Sequence, residues 1–314
     1  MTDSSPIADD EQSLTIFDAE ARPVVQIALL ATVFFENGYE PDVREAVIDC
    51  FEEYCRITGD RLRWTTHPKT HHWMPVTTLP GNTRGWLLKV DRDEGWQLTY
   101  QGGASSEEAS HYRFEALGTR AWESAHTLSY LQLCLPLTWY ADHDGSFPEL
   151  VLDVCRRLRP IHGYGGIGVV ESFSHDVREP YEPAVFAMAR RFPGLEVDYP
   201  ISHSLFLKNG IKGVNWLTVL GEPWLSRAGG DRQLAAQLGP DYQFHRYADG
   251  VIIQAGPRPQ LGDRNRDLWP GSYVKLAKIL RPIRITEHRS FHEYGPARFT
   301  QESTDAWLAR FDER

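Results

Sequence analysis

Twelve consecutive residues, VVQIALLATVFF from Val24 to Phe35, are apolar except for Gln26 and Thr32. This run constrains the fold more than any other stretch. It is shorter than the ~20 residues a bilayer-crossing helix needs, so it is expected to be a buried strand, ending at the turn signal Asn37-Gly38. Pro41 then opens a helix to about Ile57. On it Val43, Val47, Cys50 and Tyr54 recur at helical spacing and face the core. Asp42, Glu45, Asp49, Glu52 and Glu53 fall mostly on the other side.

Downstream, short strands are expected at Leu62–Thr66, Trp86–Val90, Trp96–Tyr100 and His111–Leu117. The middle two form a hairpin around Asp91–Gly95. Gly102–Ser110 reads as a flexible link. From Tyr130 the opening pattern returns: an apolar run (Leu131–Tyr140), a polar turn, Pro148, and a helix holding Cys155 where the first helix holds Cys50. Further helices are expected at Glu182–Phe192, Asp231–Leu238 (capped by Asp231), Gly271–Leu280 and Ser303–Phe311. Asn215–Leu220 is a strand, and Tyr242–Tyr247 pairs with Val251–Ala255. Strands and helices do not alternate regularly, so the expected class is α+β: a mixed, mainly antiparallel sheet with packed helices. Residues 1–13 are expected to be a disordered leader. Residues 14–314 are expected to form one domain, in which the returning pattern suggests two related strand–helix halves, 14–125 and 126–314.

The net charge is −10 and is unevenly placed. Met1 to Asp60 holds fourteen acids against three arginines, so the imbalance lies in the first fifth of the chain. Such asymmetry bears on partners, not on fold. Cys50, Cys55, Cys134 and Cys155 form no CxxC pair, and the N-terminus lacks the basic region of a secretory signal. The expected location is the cytoplasm.

GYGGIG, Gly163–Gly168, matches the G-x-G-x-x-G spacing of a dinucleotide loop. That loop needs a strand before it and a helix after it. Here a helix-like segment stopped by Pro160 precedes the glycines, and the strand-like VVESFS follows. The expectation is a tight helix-to-strand connection with close backbone packing. His67, His71 and His72, or His288 and His292, could serve a metal-dependent hydrolase. The first set has no Cys or carboxylate within a few residues. The second, flanked by Glu287 and Glu293, sits beside Arg289, Ser290 and Gly295-Pro296, which do not favour a regular helix. Asp142, His143 and Asp144 occupy a turn position. No nucleophile elbow, P-loop or basic aromatic patch is present. No catalytic residue, cofactor or metal ligand is therefore assigned, and neither nucleic acid nor membrane is an expected partner.

Gly163–Gly168, read with IKGVNWLTVLG (Ile211–Gly221), resembles the type VI secretion system immunity proteins (TsiV-like), formerly a domain of unknown function. Leu158 to Gly168, Arg191-Phe192-Pro193-Gly194, Gly213–Thr218 and the tryptophan-bearing end around Trp307–Phe311 carry the resemblance, over roughly residues 20–312. It implies a non-enzymatic protein that binds and neutralises a cognate secreted toxin, often a nuclease. A nuclease needs a basic groove for phosphate, and a concentrated acidic surface would be steered into it. The candidate partner-binding residues are Glu36, Glu40, Asp42, Glu45, Asp49, Glu52 and Glu53. Trp73, Trp86, Trp96, Trp224 and Trp269, near expected turns, are candidate aromatic anchors. The rivals are the hydrolase above and an adaptor or chaperone for a secreted effector.

Overall fold

The computed structural model describes residues 13–143, 146–291 and 297–312, so the expected leader lies outside it except for Ser13. The apolar run is the strand β2 (Pro23–Phe35). Its side chains alternate between two cores. Val25, Ile27, Leu29, Ala31, Val33 and Phe35 enter the larger one. Ala28, Leu30 and Phe34 enter the smaller one. A strand covered on both faces has no polar side to show, which is why the run lacks alternation. Its two polar residues, Gln26 and Thr32, have the same parity and face the smaller core.

β2 lies centrally in an eleven-stranded sheet. The others are β1 (Ile16–Phe17), β3 (Trp64–Thr66), β4 (Trp73–Pro75), β5 (Trp96–Gln101), β6 (Arg113–Gly118), β7 (Ser129–Leu135), β8 (His162–Glu171), β9 (Leu217–Gly221), β10 (Tyr242–Tyr247) and β11 (Gly250–Ala255). The order is β10-β11-β9-β8-β2-β7-β6-β5-β3-β4, with β1 also on β2. Every strand pairing is antiparallel, β2 with β7 and β8 included. The principal helices are α1 (Pro41–Thr58), α2 (Thr83–Leu87), α3 (Leu137–Asp142), α4 (Phe147–Leu158), α5 (Glu182–Arg191), α6 (Pro200–His203), α7 (Gly230–Leu238), α8 (Gly271–Leu280) and α9 (Gln301–Leu308). The fold class is therefore α+β.

α1 and α4 cover the larger core with Val47, Phe51 and Tyr54, and with Phe147, Val151 and Cys155. Burying each large apolar side chain stabilises the fold by about 1.5–3 kcal/mol. The smaller core lies on the opposite face, under Trp307 and Leu308 of α9 and under Val197 and Leu207.

Several expectations are corrected. Trp86–Val90 is not a hairpin strand, because part of it belongs to α2. The buried Arg44 guanidinium donates to the carbonyls of Leu87 and Val90, closing that helix from below. β5 pairs instead with β6 and β3. The run Leu131–Tyr140 is split by Pro136 into β7 and α3. Asp231 is not a cap: Gly229 precedes α7, and Asp231 pairs with Arg246 at 2.7 Å.

The glycine cluster is not a connection but the body of β8, hydrogen-bonded to β2 along its length. A Cβ at Gly166 would lie 2.1 Å from Asn215 Oδ1, and one at Gly168 2.0 Å from Leu30 Cδ2. The missing side chains let the segment around Glu196 lie flat on the sheet. Its backbone bridges β8, with Val169 N donating to Glu196 O and Glu196 N to Ile167 O, both at 2.9 Å.

Candidate functional site

The seven candidate acids lie on the surface at one end of the sheet and along α1. Six have side chains between 28% and 58% exposed, and Asp42 is exposed as well. Glu45, Asp49 and Glu52 fall at i, i+4 and i+7, one stripe of the helix. A single guanidinium fork from α2 reaches all three. Arg84 lies 2.9 Å from Glu45, 2.6 Å from Asp49 and 3.2 Å from Glu52. Arg157 of α4 lies 3.9 Å from Asp49 and 2.8 Å from Asp153. Glu53 pairs with Arg56, whose hydrogen bond holds its carboxyl below the usual range. Glu36 is 3.3 Å from Lys208 and Glu40 is 4.0 Å from Arg92. Only Asp42 of the seven makes no ion pair with a described residue. The face is acidic but internally countered: Arg56 comes from α1 itself, whereas Arg84, Arg92, Arg157 and Lys208 come from remote sequence positions.

On the smaller-core face the fold builds something that reading the residues singly had missed. Asp198, whose side chain is fully buried, accepts hydrogen bonds from three strands: Thr32 Oγ1 of β2, Gln132 Nε2 of β7 at 3.0 Å and Tyr164 OH of β8 at 2.6 Å. Burial raises its carboxyl pKa. Beside it Lys212 meets Glu196 Oε1 as a 2.7 Å ion pair and donates to Val197 O at 2.5 Å. Lys212 also donates to His203 Nε2 at 2.8 Å. That nitrogen also accepts from Tyr199 N at 3.0 Å, so the His203 proton sits on Nδ1 and points to His288 Nε2, 2.9 Å away. His288 in turn donates from Nδ1 to Arg289 O at 2.6 Å. Every donor in this row has a fixed direction, as a buried polar network requires. Glu196, Lys212, His203 and His288 are all at most 4% exposed, so the row joins the sheet to the segment laid over it. The shared parity of Gln26 and Thr32 was the sequence signal for a polar layer on that face.

The remaining candidates separate. His67, His71 and His72 sit in the exposed β3–β4 loop, where His67 Nδ1 accepts from Lys69 N and Thr70 N, both at 3.3 Å. His288 is used as above; His292 lies outside the described residues. Among the described residues, no group of three or more His, Cys, Asp or Glu is placed to hold a metal ion. His143 caps the C-terminus of α3, its backbone N–H donating to Trp139 O at 3.1 Å, and its ring stacks on Trp139 at 4.3 Å; Asp144 lies outside the described residues. The four cysteines are buried and free. Burial pushes the Cys55 and Cys134 thiols up to about 12, so neither is a thiolate at neutral pH. Of the candidate aromatic anchors, Trp96 and Trp224 are buried at 4% exposure, and Trp73, Trp86 and Trp269 are half-buried. The exposed tryptophan is Trp122, at 64%. No helix among the described residues is long and apolar enough to cross a membrane.

A glycine-rich strand paired with β2 is overlaid by the segment that begins at Glu196, and the tryptophan helix α9 covers the smaller core beside it. The chain belongs to the TsiV family, described as type VI immunity for VRR-NUC, whose profile matches residues 46–311. A solved Pseudomonas aeruginosa T6SS protein, PA0821, is 30% identical and superposes with a TM-score of 0.87, over 95% of this chain and 87% of its own. No curated protein matches.

Proposed function

We propose that this protein binds a VRR-NUC nuclease toxin directly and blocks it, acting in the cytoplasm and performing no reaction itself. The observation that carries this reading is the TsiV match over residues 46–311. The acidic α1 face supports it. A nuclease groove that attracts phosphate also attracts carboxylates, so the face would compete with DNA for the same cations.

Titrating the protein into the purified nuclease domain of the toxin encoded beside its gene is expected to abolish DNA cleavage at about one equivalent. Undiminished cleavage with the protein in large excess would sink the reading. In the same assay the double change Glu52→Lys, Glu53→Lys is expected to slow association about tenfold and flatten its dependence on salt. The variant's fold should persist, since both positions are at the surface. Unaltered kinetics would remove this face from the contact.

A further inference from the structure

Resting on the toxin-binding reading, we infer that the partner docks on the end of the sheet beside the start of α1. Trp122, Ile201 and Leu205 are the apolar anchors, and Glu36, Glu40 and Asp42 form an acidic rim. Among the described residues six large apolar side chains are conspicuously exposed, and three are these, at 64%, 55% and 56%. They stand on two segments that the fold ties together. Leu128 N donates to Ser204 O at 3.1 Å, and Lys208 Nζ donates to Ser124 O. Ile201 lies in α6 and Leu205 in the turn that follows it, and both side chains face outward.

The Trp122 loop is held stiff. Glu123 N and Ser124 N both donate to Arg120 O, at 3.1 and 3.2 Å, and Thr127 N donates to Glu123 O at 3.0 Å. Arg120 lies over the Trp122 ring at 5.5 Å and pairs with Glu123 at 2.6 Å. A rigid, outward tryptophan flanked by arginine and aliphatic groups is the composition of an interface hot spot.

The rim converges on the same end. Lys208 reaches Glu36 at 3.3 Å. Ala121 N donates to Arg92 O at 2.9 Å, and Arg92 reaches Glu40 at 4.0 Å. Charge bears on the occupant: Lys208 and Arg92 counter Glu36 and Glu40, and Asp42 is left without an ion pair among the described residues. In a two-fold contact between copies that acidic excess meets its own copy, whereas a nuclease brings a cationic surface to it.

The test uses the full chain with Trp122→Ala and, separately, Leu205→Asp, each measured for binding to the purified nuclease domain and for thermal midpoint. Both changes are at exposed sites, so the midpoint is expected to stay put. Each is expected to weaken binding about 30-fold or more. Wild-type affinity in both variants overturns this surface while leaving the toxin reading standing. Absence of binding by the unaltered protein overturns the toxin reading, and the surface with it. A wild-type dimer that these changes dissolve, with nuclease affinity unaltered, gives the face to a second copy and also overturns the inference.

Discussion

Replacing Lys212 by methionine is expected to cost about 3–5 kcal/mol of folding stability at neutral pH, the usual loss when one partner of a buried ion pair is removed. Methionine keeps most of the length and the apolar stem, so packing changes little. What goes is the ammonium that sits 2.7 Å from Glu196 Oε1 and 4.0 Å from Asp198 Oδ1. Both carboxylates are essentially solvent-free. The nearest other cation, Arg310, stands 3.8 Å from Glu196 Oε2. The rings of Phe291 and Trp307, each 5.3 Å from the lysine nitrogen, would then face two carboxylates with Arg310 as their one close cation. Two further results are expected in urea unfolding. The loss should shrink at lower pH, where a carboxylate can take up a proton instead. Adding Glu196→Gln should recover part of it. A cost under about 1 kcal/mol at pH 7.5 would mean that the pair does not hold the segment to the sheet.

The second large effect concerns His162. Its ring is buried at the start of β8, 1% exposed, with Nε2 2.8 Å from Leu207 O. A carbonyl only accepts, so Nε2 carries a hydrogen, and burial keeps the ring neutral near pH 7. Burial lowers its pKa to about 4, against about 6.5 in the unfolded chain. Between these values the unfolded chain binds a proton that the folded one refuses. Stability is therefore fully present above pH 6.5 and is lost as pH falls towards 4, by about 3 kcal/mol. Glu171, raised to about 7 by its own burial, works in the opposite sense, so the raw pH profile is a sum. The comparison of wild type with His162→Gln removes the shared terms. The amide can keep the bond to Leu207 but does not titrate. Relative to this variant, wild type is expected to lose about 3 kcal/mol between pH 7 and pH 4. Two parallel stability curves would show that His162 does not couple to pH.

Elements governed by short-range pattern were legible in the sequence. β2, α1, α4, α5 and the β10–β11 hairpin lie close to where periodicity and turn residues placed them. The glycine cluster was misassigned because a strand with glycine at positions 163, 165, 166 and 168, on both faces, has no side-chain period to detect. Its true context depends on Asn215 and Glu196, which arrive from beyond the next helix. Trp86–Val90 was misassigned because a buried arginine, forty residues upstream, completes α2. In the site, the acids of α1 were readable as a surface stripe. Arg84 was not, since nothing near it in sequence points to Glu45 or Asp49. Of the Lys212–Asp198 layer only the shared parity of Gln26 and Thr32 gave a sign, and its charged members were silent for the same reason. Each of its members looks ordinary alone, and only the topology brings three strands to one carboxylate. Trp122 sits among turn residues that periodicity does not describe.

The Arg84 fork has a consequence for encounters at that face. Long carboxylate side chains on a helix normally sample several rotamers and surrender that freedom when something binds. Here three of them are already aligned by one guanidinium within the same molecule. Whatever meets the stripe finds it set in place, with the disorder removed once, at folding, instead of at each contact.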